Sequence, residues 1–183
     1  MRMAPLRLAP LLLLAACSRS PEPAATAAPQ AAATQAPAAV EADVGARPAL
    51  RVTTLDGAVY DLAAQRGKWV VVNYWATWCG PCLKEMLELS ALAAMRPHIA
   101  VLGLVYEDTS EDELRAFLRQ HPVAYPVARV DIYAPPPAFG APRGLPASWL
   151  IGPDGRVVRK YVGPVTARML EDDIAAAGGP KVG

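Results

Sequence analysis

Residues 70–83 read VVVNYWATWCGPCL, and the architecture of the domain can be worked out from them. The run Val70–Tyr74 is apolar without alternation, which is typical of a short strand buried on both faces of a sheet. Two cysteines follow with two residues between them, and apolar residues then recur at the spacing of one helix face, at Leu83, Met86, Leu89 and Ala93. The pattern therefore predicts a strand, a cysteine pair and a helix in direct succession.

The cysteine pair can carry thiol–disulfide exchange. The helix entrance favours an ionised Cys79, because unpaired backbone N–H groups and the helix dipole lie there and Cys82 can donate a hydrogen bond. Pro81 fits the first helical turn, where its missing N–H costs little, and Gly80 lets an incoming polypeptide approach closely. We predict that Cys79 is the nucleophile and that Cys82, one turn along and more buried, is the resolving thiol.

Three other uses of the pair fit the sequence less well. A zinc site needs further ligands, and His98 and His121 lack the usual spacing. Covalent haem attachment needs a histidine directly after the second cysteine, where Leu83 stands. A structural disulfide across so short a loop would add little stability. No metal and no cofactor are expected.

Length and composition predict one globular domain with tails. The chain has 183 residues, of which 53% are hydrophobic, and a formal charge of +1. Such a length supports a single core. The near-neutral charge gives no sign of nucleic-acid binding.

Residues 1–16 are predicted to be a lipoprotein signal peptide. They combine a basic start with an apolar run too short to span a bilayer. An ordinary cleaved signal peptide is the alternative, but the run from Leu14 to Cys17 resembles a bacterial lipobox, which makes Cys17 the expected site of lipid attachment and membrane anchoring. Ser18 then favours the outer over the inner membrane of the cell envelope.

Residues 17–41 are predicted to be a flexible tether, because Ala, Pro and Thr dominate and few large apolar side chains are present. The folded domain is expected at residues 42–180. It should open with a β-hairpin around Asp56 and Gly57. A second buried strand is expected at Ala100–Val105.

The rest of the domain shows clear helix and turn signals. Ser110 and Glu113 form a capping box for a second helix. Residues 153–155, Pro-Asp-Gly, predict a turn between two strands. Thr166 caps a last helix whose inward residues are predicted to be Met169, Leu170 and Ile174. This order implies an α/β fold with three layers and a mixed central sheet.

On residues 67–85 and 144–151, the chain resembles the TlpA/ResA-like exported branch of the thioredoxin superfamily, including CcmG-like reductases of cytochrome c maturation. The resemblance implies a thioredoxin-like fold, a central mixed sheet flanked by helices, with an N-terminal β-hairpin. It further implies a helix and a strand inserted within residues 105–121.

The resemblance also assigns roles to single residues. Pro146 corresponds to a cis-proline beside the nucleophilic cysteine, which would leave the Leu145 backbone free to pair with a substrate; the residues alone leave a trans turn proline open. Glu85 corresponds to an acidic position that tunes the pair, the alternative being an exposed helical glutamate. Glu107 matches a second acidic position less closely, and Asn73 stands where thioredoxins carry a buried aspartate.

The sequence departs from the branch in two places. Leu87 replaces a proline that kinks the active-site helix, so a straighter helix is expected. The proline-rich run Ala134–Ala138 is unusual and would reshape the face that binds partners.

Among the tryptophans, Trp78 is expected half-exposed beside Cys79 as a contact surface, and the other three are expected to pack in the core.

The resemblance implies a membrane-anchored thiol–disulfide oxidoreductase, most consistent with a reductase facing the periplasm. Its substrates would be disulfide-containing exported proteins, such as apocytochrome c, and a membrane thiol transporter of the DsbD or CcdA type would supply electrons. The alternative is a copper-delivery module of the same fold that binds Cu(I) through Cys79 and Cys82. Such modules typically space their cysteines more widely and add a histidine.

Overall fold

A computed structural model describes residues 43–181. The elements are the strands β1 (Arg51–Thr53), β2 (Val59–Asp61), β3 (Trp69–Trp75), β4 (Ile99–Val105), β5 (Val127–Arg129), β6 (Ala147–Ile151) and β7 (Val157–Val162), and the helices α1 (Gly80–Met95), α2 (Glu111–Gln120) and α3 (Ala167–Ala176). The predicted signal peptide, the predicted lipid attachment at Cys17 and the predicted tether lie outside the described residues.

The N-terminal hairpin forms as predicted. Strands β1 and β2 pair antiparallel, with Val52 opposite Tyr60. Gly57 has φ +84°, a left-handed conformation that suits glycine in this tight turn. The Asp-Gly pair therefore places the turn where the sequence indicates it.

A mixed five-stranded sheet forms the centre of the domain, in the order β5-β4-β3-β6-β7. Strand β3 pairs parallel with β4 and antiparallel with β6. It is buried along all seven residues, which explains why its sequence shows no polar alternation. The predicted mixed sheet is confirmed.

The two faces of β3 pack into different clusters. Val71 and Trp75 join one cluster, which contains the core residues of all three helices. Val70, Val72 and Tyr74 join the other cluster. That cluster also contains residues of the hairpin, of a short 3-10 helix at Leu62–Gln65, and the loop residue Phe139. The sheet thus has helices on one face and mainly non-helical segments on the other.

The helix termini follow the predicted capping signals. The capping box between Ser110 and Glu113 is complete, and the Thr166 side chain accepts a hydrogen bond from the Met169 N–H. Leu170 and Ile174 are buried as predicted. The expectation for Met169 is wrong, since 43% of it is exposed: it lies at the edge of the buried face of α3.

Helix α1 runs without interruption past Leu87, as expected in the absence of a proline there. The inserted elements are α2 and β5, and β5 extends the sheet by pairing parallel with β4. This strand lies at residues 127–129, later in the chain than the range 105–121 that was expected to hold it. Within residues 43–181, none of the helices combines the length and the apolar character needed to cross a bilayer.

Candidate functional site: a disulfide at the entrance of α1

The cysteine pair lies between the end of β3 and the first turn of α1. Cys79 is the N-cap residue of α1, and its Sγ accepts a hydrogen bond from the Cys82 N–H at 3.3 Å. Pro81 occupies the first turn, where no backbone donor is needed. This arrangement places the sulfur of Cys79 against the positive end of the helix dipole, as the sequence predicts.

Cys79 and Cys82 are joined by a disulfide. Cys79 retains 5% of its surface and Cys82 retains 1%. Cys82 is the more buried, as expected, but Cys79 is more covered than an open nucleophile would be, because its sulfur is bonded to that of its partner. Trp78, next to it, is 71% exposed, which is more than the half-exposure expected.

The Leu145–Pro146 peptide bond is cis, as the resemblance predicts. The Pro146 carbonyl accepts a hydrogen bond from the Gly163 N–H at 2.8 Å. Within residues 43–181 the Leu145 backbone makes no hydrogen bond, and Leu145 lines the same groove as Trp78. The loop thus carries unpaired backbone groups at a residue that lines the groove.

Glu85 is a buried carboxyl, not an exposed helical glutamate. It is 2% exposed, and three donors reach it. The amide of Asn73 donates to Oε1 at 2.7 Å, and the backbone N–H of Val165 donates to Oε2 at 3.0 Å. The Ser148 hydroxyl lies 3.4 Å from Oε1.

The proton affinity of Glu85 is set by two opposing effects. Burial raises its pKa to about 7, although hydrogen bonds from Val165 and Ser148 lower it. Because residues three apart share a helix face, Glu85 lies on the same side of α1 as Cys82. Asn73, at the position where thioredoxins carry an aspartate, donates to this carboxyl, so Glu85 supplies a carboxyl next to that position.

Glu107 is also buried, but only one of its two oxygens is bonded. Its Oε2 accepts hydrogen bonds from the Thr77 N–H at 3.2 Å and from the Thr77 hydroxyl at 3.0 Å. Its Oε1 has no hydrogen-bond partner. Thr77 precedes Trp78, so Glu107 holds the turn that leads into the cysteine pair.

A groove of about 390 Å³ opens beside this turn. Glu107 and Asp108 contribute carboxylates, and Trp78 contributes an exposed aromatic ring. Its apolar lining comes from Ile132, Pro142 and Leu145. The sequence indicated Trp78 and Leu145 individually, but the contributions of Ile132 and Pro142 were missed.

The proline-rich run Ala134–Ala138 lies elsewhere. Pro136 and Pro137 line a separate groove together with residues of β1 and β5. The run is anchored by the next residue, Phe139, whose ring packs edge-on against Trp149 at 5.0 Å. Its prolines do not line the groove beside the disulfide, so an effect on that part of the partner-binding face is not observed.

The tryptophans other than Trp78 pack as expected, and one histidine stacks on an aromatic ring. The other three tryptophans, Trp69, Trp75 and Trp149, are all buried. His121 stacks on Phe117 with ring centroids 4.4 Å apart. Within residues 43–181 no three side chains of the His, Cys, Asp and Glu types cluster closely enough to bind a metal ion.

A thioredoxin-type sheet, two cysteines separated by two residues at the entrance of α1, and a cis-proline loop together define a thiol–disulfide oxidoreductase. The Redoxin family model matches residues 30–177, and the chain belongs to that family. A relative from Bacillus cereus, the thiol-disulfide oxidoreductase ResA, is 34% identical over 131 residues, which cover 68% of this chain and 72% of that protein.

Solved structures show the same fold. A protein from Chlorobium tepidum, named as the thiol:disulfide interchange protein DsbE, superposes with a TM-score of 0.66 at 29% identity, covering 76% of this chain and 100% of that one. A secreted thiol-disulfide isomerase from Corynebacterium glutamicum gives a TM-score of 0.57 at 26% identity, covering 68% of this chain and 80% of that one. The predicted fold and enzyme class are confirmed.

Proposed function

We propose that the protein reduces disulfides in exported proteins through Cys79 and Cys82. The observation that carries this proposal is the placement of the Cys79 sulfur at the N-cap of α1, where it accepts the Cys82 N–H. A sulfur in that position is stabilised as a thiolate once the disulfide is opened, because backbone donors already point at it. The nearby groove offers an extended client a place beside this sulfur.

The reaction requires two exchanges. In the reduced protein, the Cys79 thiolate attacks one sulfur of the client disulfide; that bond breaks, a mixed disulfide forms, and the released client thiolate takes up a proton. The Cys82 thiolate then attacks Cys79 Sγ, which forms the internal disulfide and releases the second client thiol. Two electrons pass to the client, and a dithiol protein must return two electrons to the cysteine pair.

Glu85 is assigned the role of accepting the proton of the Cys82 thiol. A carboxylate buried on the same face of α1 can accept the thiol proton during the second exchange. Its raised pKa, about 7, suits that task because the group gains and loses protons near neutral pH. Gly80 and Pro81 keep the turn open and the helix start intact, and the free Leu145 backbone is assigned to strand-like pairing with the client.

The setting of the reaction follows from the predicted leader. We propose that the chain is exported and held at the cell envelope through a lipid on Cys17, with Ser18 favouring the outer membrane. The similarity to a secreted isomerase supports export. Apocytochrome c is a candidate client, and a membrane thiol transporter of the DsbD or CcdA type is a candidate donor, as the resemblance implies.

The direction of electron flow is inferred from the residues between the cysteines. Gly80 and Pro81 match the thioredoxin dipeptide, whose disulfide has a potential of about −270 mV, against about −120 mV for a strong oxidant. A low potential in an oxidising compartment makes the protein a reductant. A measured potential above about −150 mV would contradict this direction.

The decisive experiment traps the client. The Cys82→Ala variant cannot resolve the mixed disulfide, so client proteins should remain linked to Cys79 and be recovered from envelope extracts. The matched control is Cys79→Ala, which should trap nothing. Equal trapping by both variants would overturn the proposal that Cys79 attacks the client. Tight one-to-one Cu(I) binding that is lost in Cys79→Ala, from a protein without reductase activity, would favour copper delivery instead.

A further inference from the structure

The groove beside the disulfide carries a carboxylate that no ion pair within residues 43–181 neutralises. Glu107 lines the groove and is 9% exposed, and its Oε1 is buried without a hydrogen-bond partner. Buried polar atoms are almost always paired, so an unpaired oxygen on a residue that lines a groove calls for a donor from outside. Asp108 adds a second carboxylate to the same lining.

No cation of the described residues 43–181 pairs with these carboxylates. The arginines whose ion pairs are resolved bind acids elsewhere, as Arg115 does with Glu111 on α2 and Arg96 does with Glu171 on α3. Arg143 is exposed on the loop between Pro142 and Gly144, yet it forms no ion pair with Glu107. The complementary positive charge is therefore expected on a ligand.

The other walls of the groove suit a long cationic side chain. Ile132, Pro142 and Leu145 form an apolar lining that can cover the aliphatic stem of lysine or arginine. Trp78 exposes its ring in the same groove, and the face of an indole attracts a cation. Apolar walls, an aromatic ring and a carboxylate with one unbonded oxygen together suit the side chain of lysine or arginine.

We propose that this groove is a subsite for a lysine or arginine side chain of the client, next to the client disulfide. The cation would bond Glu107 Oε1 after a side-chain rotation turns that buried oxygen toward the groove. Its stem would pack on the apolar lining, and its backbone would reach the unpaired groups of Leu145. This inference rests on the proposed reductase function and adds to it a substrate class, namely disulfides flanked by a basic residue.

The test compares two disulfide-bridged peptides that differ in one residue beside a cysteine, arginine in one and the neutral isostere citrulline in the other. The prereduced full chain is mixed with each peptide, and the second-order rate constant of peptide reduction is measured by acid quenching and chromatography. We expect the arginine peptide to react about 10-fold faster, the effect of one hydrogen bond to a charged group.

The Glu107→Gln variant should lose this preference to within about twofold, because a glutamine oxygen still accepts from Thr77 but the side chain no longer carries the charge that binds the cation. Asp172→Asn, which removes one exposed charge on α3, is the matched control and should keep the preference. In case Glu107→Gln folds poorly, the wild-type preference should shrink as salt is raised, since salt screens the ion pair.

The outcomes separate the two proposals. Equal rates for both peptides with the wild type, or a preference that survives in Glu107→Gln, would overturn the subsite while leaving the reductase function intact. Failure of the reduced wild type to reduce either peptide would contradict the reductase function itself.

Discussion

Two buried carboxyl groups belong to the segments around the cysteine pair, and they differ in how they are bonded. Glu85, on α1, receives three donors from β3, β6 and the loop before α3. Glu107, after β4, receives two donors on one oxygen and none on the other, and it lines the groove. We call the surroundings of Glu85 the closed side and those of Glu107 the open side.

This difference indicates two uses of the same functional group. A carboxyl enclosed by fixed donors cannot bind a ligand, but burial adjusts its pKa so that it exchanges a proton near neutral pH. A carboxylate that lines a groove and keeps one buried oxygen unbonded still lacks a donor, which a cation from outside can supply. Mutations at each carboxyl group and at its hydrogen-bond partners can test whether these two uses are separate.

The largest expected effect concerns the proton of Cys82. In Glu85→Gln the carboxylate is absent, so the second exchange should slow by about 100-fold, the lower range of general-base effects. In the wild type this step should accelerate as pH rises through about 7, since Glu85 must lose its proton before it can accept another. In the variant the inflection near pH 7 should be absent, and the slower rate should keep rising with pH as the Cys82 thiol ionises without help.

The measurement is a rapid-mixing experiment in which the mixed disulfide is quenched and counted by mass spectrometry at several pH values. Glu88→Gln is the matched control, because Glu88 lies one turn further along α1 and bonds the Ala167 N–H instead. A wild-type pH profile that survives in Glu85→Gln would show that another group accepts the proton.

The second effect concerns stability. The pKa of Glu85 rises from 4.5 to about 7 on folding, so between these values the folded state holds a proton that the unfolded state has lost. The free energy of unfolding should therefore fall as pH rises through this window, by about 3 kcal/mol in all, and level off above it.

Urea denaturation of the oxidised protein between pH 5 and 8 measures this trend. The difference between wild type and Glu85→Gln isolates the contribution of one carboxyl, because the other titrating groups cancel. A difference that stays constant across that range would mean that Glu85 does not titrate there.

The sequence predicted features whose parts are close together in the chain. The capping box of α2 and the Asp56–Gly57 turn involve residues at most three apart, so local preferences determine them. The cysteine pair and its helix entrance are local in the same sense. The expectation for Met169 failed because helical spacing alone does not fix the edge of a buried face.

The surroundings of the two carboxyl groups could not be predicted. The partners of Glu85 lie 12, 63 and 80 positions away, and Asn73 meets Ser148 only through the register between β3 and β6. A single sequence does not specify that register. Similarly, the groove combines residues from three loops, none of which shows a periodic pattern.

The third effect is the loss of one donor on the closed side. Ser148 is fully buried, accepts from Asn73 at 2.9 Å and lies within reach of Glu85. Ser148→Ala leaves an Asn73 donor unpaired where water has no access, which should cost about 1–2 kcal/mol of unfolding free energy. It should also raise the pKa of Glu85 further, since that hydrogen bond lowers it.

Urea melts give the stability loss, and the pH at which the stability curve levels off should move upward in Ser148→Ala. Ala147 precedes Ser148 on β6, and its side chain points to the other face of the strand. Ala147→Ser therefore adds a hydroxyl on that other face and serves as the comparison for Ser148→Ala. An unchanged pH curve in Ser148→Ala would remove Ser148 from the group that adjusts Glu85.

The smallest effect is expected from the matching change on the open side. Thr77→Val keeps the shape of the side chain and removes one of the two donors to Glu107, leaving the backbone N–H. Because the groove admits water, a water molecule can replace the hydroxyl, and the loss should be only about 0.5–1 kcal/mol in a urea melt. Thr53→Val, on an exposed position of β1, provides the control and should change little. A loss in Thr77→Val as large as that in Ser148→Ala would mean that Glu107 is as enclosed as Glu85, and the distinction between a closed proton site and an open cation site would fail.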